Sequence, residues 1–238
     1  MRAPRRPSAD PSPGAFLLTD ALREEMSRWL APFDITIGST QWRRVESYLG
    51  DVERENLKMN LTSDSKEALL LRHIADGWVA SAALRRLLKA VLEPRILDLG
   101  AGAGFVGVAI KIACPEISVS LMESSEKKFR FLNWAAARAG LPGLRVLPAA
   151  PGAITRPAPR AGGNSSSAAY DAVLVRAVAP LEKEISLALP FAREDAGLVI
   201  AFQTKPRTIV GMELLEIFPY RLPRESSERH LVILRRSS

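Results

Sequence analysis

Between residues 20 and 58 the apolar positions recur every third or fourth residue. In DALREEMSRWLA (20–31) they are Leu22, Met26, Trp29 and Leu30, and in STQWRRVESYLGDVERENLK (39–58) they are Trp42, Val45, Tyr48, Leu49 and Val52. That period lines one face of an α-helix and predicts two amphipathic helices. Asp20 and Ser39 are the expected N-caps, with Pro32 and Gly38 punctuating the gap. A third helical span, rich in Ala, Leu and Arg, covers residues 64 to 91, with Asp64 as its expected cap and a break near Gly77.

From Arg95 the pattern changes to short, continuously apolar runs separated by helical ones. Strands are predicted at 95–100, 117–123, 144–149, 170–176, 196–203, 215–222 and 229–235, and helices at 105–114, 125–139 and 181–192. Strands without polar alternation are covered on both faces, and each strand–helix–strand crossover lays a helix on a parallel sheet. The last two strands have no helix between them, which predicts an antiparallel hairpin at one sheet edge. The fold class is therefore α/β, a Rossmann-like seven-stranded sheet with helices on both faces, a C-terminal antiparallel hairpin and an N-terminal helical extension.

Composition narrows this picture. A chain of 238 residues holds one sizeable core with a small extra layer. We expect a disordered basic tail over 1–18, an N-terminal helical region over 19–92 and the α/β domain over 93–238. Residues 151–169, rich in Pro, Gly, Ser and Ala, are expected to form a flexible loop. No apolar run reaches the ~18 residues of a bilayer span. One cysteine, Cys114, and two histidines are too few for a disulfide or a structural zinc. No metal, no membrane, a monomer and a cytoplasmic location are the expectations; an organelle transit peptide is the other reading of the N-terminus. The excess of 33 Lys and Arg over 26 Asp and Glu, a net charge of +7, makes a nucleic acid the first partner to consider.

Candidate chemistry gathers in RILDLGAGAGFVGVAI (95–110). Gly102, Gly104 and Gly107 spell G-x-G-x-x-G between a predicted strand and a predicted helix, and Glu123 follows at the end of the next strand. Free N–H groups at a helix start suit a pyrophosphate, and an acid about 20 residues on suits a ribose, so a nicotinamide dinucleotide fits. Asp98, two positions before Gly100, favours another ligand. A carboxylate repels a pyrophosphate but suits an ammonium and a sulfonium group, as in S-adenosylmethionine. In a third, structural reading, Asp98 only caps the turn.

The acceptor is constrained by what is missing. Carbon-5 methylation of a pyrimidine needs a cysteine nucleophile, and Cys114 falls at the expected buried end of a helix. An Asn/Asp-Pro-Pro-aromatic loop for exocyclic amines is absent after the fourth strand, which reads VRAVAPLEK. Arg176 stands there instead, at the strand end where α/β sheets place ligands, and should face the cleft and pair with a carboxylate or substrate oxygens. A ring nitrogen such as guanine N7 carries an open lone pair and needs no general base.

Six separated blocks, MNLTS, RHIADGW, ILDLGAGAGFVGVAIKIACPE, LMESSEKKFRFLN, LVRAVAPL and ERHLVILRR, resemble in order and spacing the glucose-inhibited division protein B family of small-subunit (16S) rRNA guanine-N7 methyltransferases. The resemblance runs from Asn60 to the C-terminus. It implies a class I methyltransferase domain over 93–238, S-adenosyl-L-methionine as cofactor, and 16S rRNA or a small-subunit precursor as partner. It places Asp98, Gly100, Gly102, Phe105, Glu123, Pro151 and Gly152 around the donor, and Arg176 beside donor and acceptor as the catalytic residue. Asn60, Thr62, His73 and Asp76 match elements at the cleft mouth, and Asn60, His73, Lys127 and Lys128 are the implied RNA contacts. The chain departs from the family pattern at Val106, where the family has proline, and at Pro151 and Gly152, where it has Ala-Glu. Another RNA or a small molecule as acceptor, or a non-catalytic RNA- or ribosome-binding role, are the alternatives.

Overall fold

The computed structural model of the chain describes residues 17–149, 170–176, 180–207 and 209–237. The N-terminal region comprises helix α1 (Asp20–Leu30), a short 3₁₀ turn (Ala31–Phe33) and helix α2 (Ser39–Met59). It continues through α3 (Lys66–Ala68), a π-helical stretch (Leu69–Ile74) and α4 (Ala75–Leu87). The sheet region follows as β1 (Arg95–Leu99), α5 (Phe105–Ala113), β2 (Ser118–Glu123), α6 (Glu126–Ala139), β3 (Leu144–Pro148), β4 (Ala172–Val175), α7 (Leu181–Ala188), β5 (Leu198–Gln203), β6 (Met212–Arg221) and β7 (Glu228–Arg236).

The seven strands lie in the order β3-β2-β1-β4-β5-β7-β6. Neighbours from β3 to β5 are parallel, and β7 runs antiparallel between β5 and β6. The chain thus turns one way from β1 and the other way into β4, which opens a crevice at the C-terminal ends of these two strands. Alternate residues of the central strands feed two cores. Ile96, Ala172, Leu174 and Ile200 join the cluster that also holds buried residues of α1, α2, α4, α5 and α6. Leu97, Val173, Val175 and Val199 join a smaller one with Leu181 and Ile185 of α7. Both faces bury apolar side chains, so β4 is buried at every position.

Several local expectations are corrected. Thr19, not Asp20, caps α1 by accepting the Leu22 N–H at 3.2 Å. Gly38 precedes α2, its N–H satisfied by Gln41 Oε1 at 2.8 Å, so Ser39 is already helical. Ser65 caps α3, because the Asp64 carboxylate is engaged elsewhere. Helix α7 stops at Ala188 rather than 192, since Ala192 turns back to bridge Tyr170 in parallel. Leu18, inside the predicted tail, is buried and donates its N–H to Glu46 Oε1 at 2.8 Å. The predicted 151–169 loop lies outside the described residues.

No break occurs at Gly77; α4 runs through it. The glycine is there because α4 lies directly on α5: a Cβ at this position would sit 2.6 Å from Ala109 Cβ and 2.7 Å from the Val106 carbonyl oxygen. Since the obstacle includes backbone, Gly77→Ala forces the helices apart, and the strain exceeds the roughly 1 kcal/mol that alanine gains in helix propensity. Denaturant unfolding should show a net loss of about 1–2 kcal/mol; a variant as stable as wild type would contradict this packing.

Candidate functional site

The glycine loop is held from three sides. Gly100 and Ala101 both donate their N–H groups to the Met122 carbonyl, at 2.9 Å each. The Glu123 carboxylate accepts the Gly102 N–H at 2.8 Å and the Ser125 N–H at 2.7 Å, tying the loop to the start of α6. The buried Tyr48 hydroxyl, reaching in from α2, donates to the Ala103 carbonyl. Burial and the nearby Asp98 charge hold the Tyr48 phenol well above its ordinary pKa, so it stays a donor. Gly102 has φ +61° and faces open space where a side chain would stand. It presents bare backbone to the crevice, a cradle for a flat or extended ligand.

Asp98 lies beneath the loop rather than at its rim. It is 4% exposed and accepts the Gly107 N–H at 2.9 Å. A Cβ on Gly107 would lie 3.0 Å from that same carboxylate oxygen and 2.2 Å from Leu121, so only glycine lets α5 start here. Burial pushes the Asp98 carboxyl up to about 6, against the pull of the Gly107 N–H and the Arg176 charge, with Glu123 adding to the rise. A buried carboxylate with a raised pKa is a charge waiting for a cationic partner.

Across the crevice, Arg176 leaves β4 and enters a network drawn from three parts of the chain. Its Nη1 donates to Asp76 Oδ2 at 2.8 Å, and its Nη2 donates to His73 Nδ1 at 2.7 Å. Asp76, 1% exposed, also accepts the Tyr220 hydroxyl at 2.7 Å and faces Arg229 at 3.5 Å. Tyr220 and Arg229 are cross-strand partners in the β6–β7 hairpin. Arg229 continues to Glu225, Glu225 to Arg72, and Arg72 to Asp64, which closes the ring on His73 Nε2 at 2.5 Å. Because Nδ1 accepts from a guanidinium, the proton of His73 sits on Nε2 and points at Asp64. Burial, then the Arg176 charge, lowers the His73 pKa, which agrees with a neutral ring.

Arg176, a quarter exposed, opens onto a cavity of about 370 Å³ that Glu184, Phe202, Gln203, Tyr220 and Arg229 also line. The structure thus brings His73, Asp76 and Arg176 into direct contact and sets Asp98, Gly100, Gly102 and Glu123 around one loop. Phe105 is buried, stacked on His73 with ring centres 4.7 Å apart, so it joins the loop to the network. Thr62 is fixed by two backbone hydrogen bonds to the Asn56 amide, and its hydroxyl accepts the Asp64 N–H at 3.1 Å. Asn60 is exposed in a left-handed conformation at the end of α2. Lys127 and Lys128 occupy the first turn of α6, the former exposed. Pro151 and Gly152 lie outside the described residues. Tyr48, Asn56, Asp64, Tyr220, Glu225 and Arg229 were not foreseen as site residues; of these, Arg229 alone lies in a block that carries the family resemblance. Among the described residues no His, Cys, Asp and Glu group suits a metal ion, and no helix is long and apolar enough to cross a membrane. Cys114 is buried at the end of α5, and burial pushes its thiol up to about 12.

The Asp98 shift has a sign that can be measured. A carboxyl whose pKa is raised from 3.8 to about 6 on folding favours the folded state below about pH 4. That contribution is lost as pH rises through 6. Asp98→Asn lacks it, so in the ligand-free chain the variant should gain up to about 3 kcal/mol on wild type between pH 4 and pH 7.5. Thermal unfolding across that range reads the difference; a pH-independent offset would show that Asp98 is not held protonated by burial.

Comparison with known proteins gives the family and the fold. The family model described as rRNA small subunit methyltransferase G matches residues 41–208. A ribosomal RNA small subunit methyltransferase G of Bacillus pumilus is 30% identical over 223 residues, covering 89% of each chain. A protein of the same name from Staphylococcus saprophyticus is 28% identical over 224 residues, covering 90% of this chain and 89% of its own. Among solved structures, the METTL16 MTase domain superposes with a TM-score of 0.53 at 11% identity, over 91% of this chain and 92% of that one. A putative O-methyltransferase from Klebsiella pneumoniae gives 0.53 at 13% identity, over 90% and 96%. These two show the fold alone. The glycine loop over a buried aspartate, the Rossmann-like sheet with its antiparallel seventh strand, and a family match across most of the chain lead to one assignment: the chain belongs to the rRNA small subunit methyltransferase G family, S-adenosylmethionine-dependent methyltransferases.

Proposed function

We propose that the chain methylates N7 of a guanine in 16S rRNA, and that the Asp76-anchored Arg176 orients the acceptor beside the glycine loop. The observation that carries this reading is the position of Arg176, at the end of β4, bonded to a buried carboxylate on one side and open to a cavity on the other.

The loop fits S-adenosylmethionine. The open cradle at Gly102, with Gly100 before it, would take the methionine portion, and Glu123 at the end of β2, whose carboxylate keeps acceptor capacity beyond the Gly102 and Ser125 amides, would accept from the ribose hydroxyls. Asp98, ionised by a nearby cation, contributes negative charge under the amino-acid end. Phe105, buried and stacked on His73, backs the loop. When bound, the cofactor supplies an electrophilic methyl group on a sulfonium centre.

Guanine N7 has its lone pair exposed, so the residues need only position it and manage charge. His73 fits that limit: both ring nitrogens are engaged, one by Arg176 and one by Asp64, which leaves it a positioning residue rather than a base. Transfer moves positive charge onto the guanine ring. An unpaired arginine would oppose that, and Asp76 offsets the Arg176 charge while leaving N–H donors free for the base oxygen. Phe202 and Tyr220 offer the aromatic lining that a flipped-out base requires. Asn60 and His73 lie on the segment at the cleft mouth, and Lys127 and Lys128 head α6, where phosphates would pass. We place the reaction in the cytoplasm, on 16S rRNA or a small-subunit precursor, with the chain acting as a monomer; the net charge of +7 supports the polyanionic substrate.

Small-subunit rRNA from cells lacking the gene, incubated with the purified chain and labelled S-adenosylmethionine, should gain label at one guanine, with the borohydride and aniline cleavage that marks N7 methylation. Arg176→Ala should lower kcat at least about 100-fold while binding S-adenosylhomocysteine within a few-fold of wild type. Label on another atom, or donor binding without any transfer to rRNA, would overturn the assignment.

A further inference from the structure

A second cluster of aromatic and cationic groups lies on α6, and the reaction makes no use of it. Trp134 is 38% exposed. The guanidinium carbon of Arg54, from α2, stands 5.7 Å from its ring centre, and that of Arg138 stands 5.1 Å from it. Both guanidiniums are tied to one carboxylate. Arg54 Nη2 donates to Asp51 Oδ1, and Arg138 Nε donates to Asp51 Oδ2 at 3.1 Å. Asp51 is 3% exposed, whereas the two arginine side chains are about half exposed.

The arrangement holds two like charges side by side around a tryptophan. Left alone, two long arginine side chains would separate and sample many rotamers; the buried Asp51 and the ring fix both. Each guanidinium spends one nitrogen on Asp51 and keeps further N–H donors toward solvent. Both guanidiniums stand over the ring, so what faces solvent is the exposed part of the indole and the outer planes of the two half-exposed guanidiniums; a base can stack on these, and phosphate oxygens can take the remaining donors. The position also fits. Helix α6 begins three residues after Glu123, so Trp134 lies roughly 12 Å along the helix axis from the crevice end. Lys127 and Arg130 precede it on the same face, at the three- and four-residue spacing that aligns side chains. Arg130 is paired with Glu126, and Lys127, Arg54 and Arg138 leave the stripe with net positive charge, which favours a polyanion that leaves the crevice over α6.

We propose that Arg54, Trp134 and Arg138 form a docking platform for single-stranded RNA flanking the modified guanine, with a base on the open part of the Trp134 ring and neighbouring phosphates on the two guanidiniums. This rests on reading the chain as an RNA methyltransferase, but it assigns RNA affinity to a surface outside the reacting centre.

The test uses the full chain saturated with S-adenosylhomocysteine and a fluorescein-labelled single-stranded RNA oligonucleotide. Trp134→Leu keeps apolar packing on Phe131 and removes the large flat ring; it should weaken RNA binding about tenfold. Trp134→Phe, which restores an aromatic face, should recover most of that loss. With 16S rRNA as substrate, KM should rise in parallel for Trp134→Leu, while kcat at saturating RNA and affinity for S-adenosylhomocysteine stay at wild-type values. Arg138→Gln, which leaves Arg54 on Asp51, should reduce the slope of log affinity against log salt by about one. RNA affinity within twofold of wild type in Trp134→Leu, with only a lowered Tm, would make the cluster structural and overturn the proposal. So would displacement of the labelled RNA by polyglutamate as readily from Trp134→Leu as from wild type, joined to an unchanged affinity. If the wild-type chain transferred no methyl group to rRNA, the activity reading would fail, and the oligonucleotide titration would still decide the platform.

Discussion

A single carboxylate, Asp76, holds the working half of the molecule together. At 1% exposure it would be costly as an unpaired charge, and it is compensated by Arg176, Tyr220 and Arg229. Those partners come from the end of β4 and from the C-terminal hairpin, while Asp76 itself belongs to the N-terminal helices. One buried charge therefore fixes three separate parts of the chain around the crevice, and it aims the guanidinium that opens onto the cavity. Removing any partner leaves the others with an unmet charge or hydrogen bond, so the geometry is tightly specified.

The glycine-loop side of the crevice depends on the same logic. The glycine loop could adopt many conformations, and three side chains choose one: Tyr48 from α2, Glu123 from β2 and Asp98 from β1. The N-terminal helices thus hold the glycine loop, through Tyr48, and the Arg176 network, through His73 and Asp76. Phe105 connects the two, since its ring lies against both His73 and Tyr48. Buried Asp98 places an unpaired carboxylate beneath the loop side of the crevice, whereas the charge of Asp76 is offset by Arg176 and Arg229. That suits a reaction in which a positive charge arrives on the donor and departs on the product.

Features whose cause is local were legible in the sequence. The 3.6-residue and continuous apolar patterns found the helices and strands, and the loop from Asp98 to Gly107 announced a cofactor site because its residues are neighbours in the chain. Helix caps were misplaced where several capping residues stand together, as at Thr19 and Asp20 or Asp64 and Ser65, because tertiary hydrogen bonds decide among them. Gly77 reads as a helix breaker in one dimension and is a contact point between helices in three. Arg176 was expected to pair with a carboxylate, but the Tyr220 partner of Asp76 was beyond reach: it lies 144 residues away, and nothing in the sequence of the hairpin marks it as the buried position of β6. Six blocks carried the family resemblance, and these blocks hold the buried anchors Asp76, Asp98 and Glu123 but not Tyr48 or Tyr220.

The claim that a buried Asp76 sets the reacting geometry through Arg176 is tested most directly by a double-mutant cycle. Asp76→Asn, Arg176→Lys and the double variant are compared by kcat/KM for methyl transfer to 16S rRNA, with folded fractions checked by circular dichroism. If the two side chains act as one unit, the effects are strongly non-additive, with a coupling of about 1.5 kcal/mol or more. Effects that add to within about 0.5 kcal/mol would mean that Arg176 finds its place without Asp76, and would contradict the account.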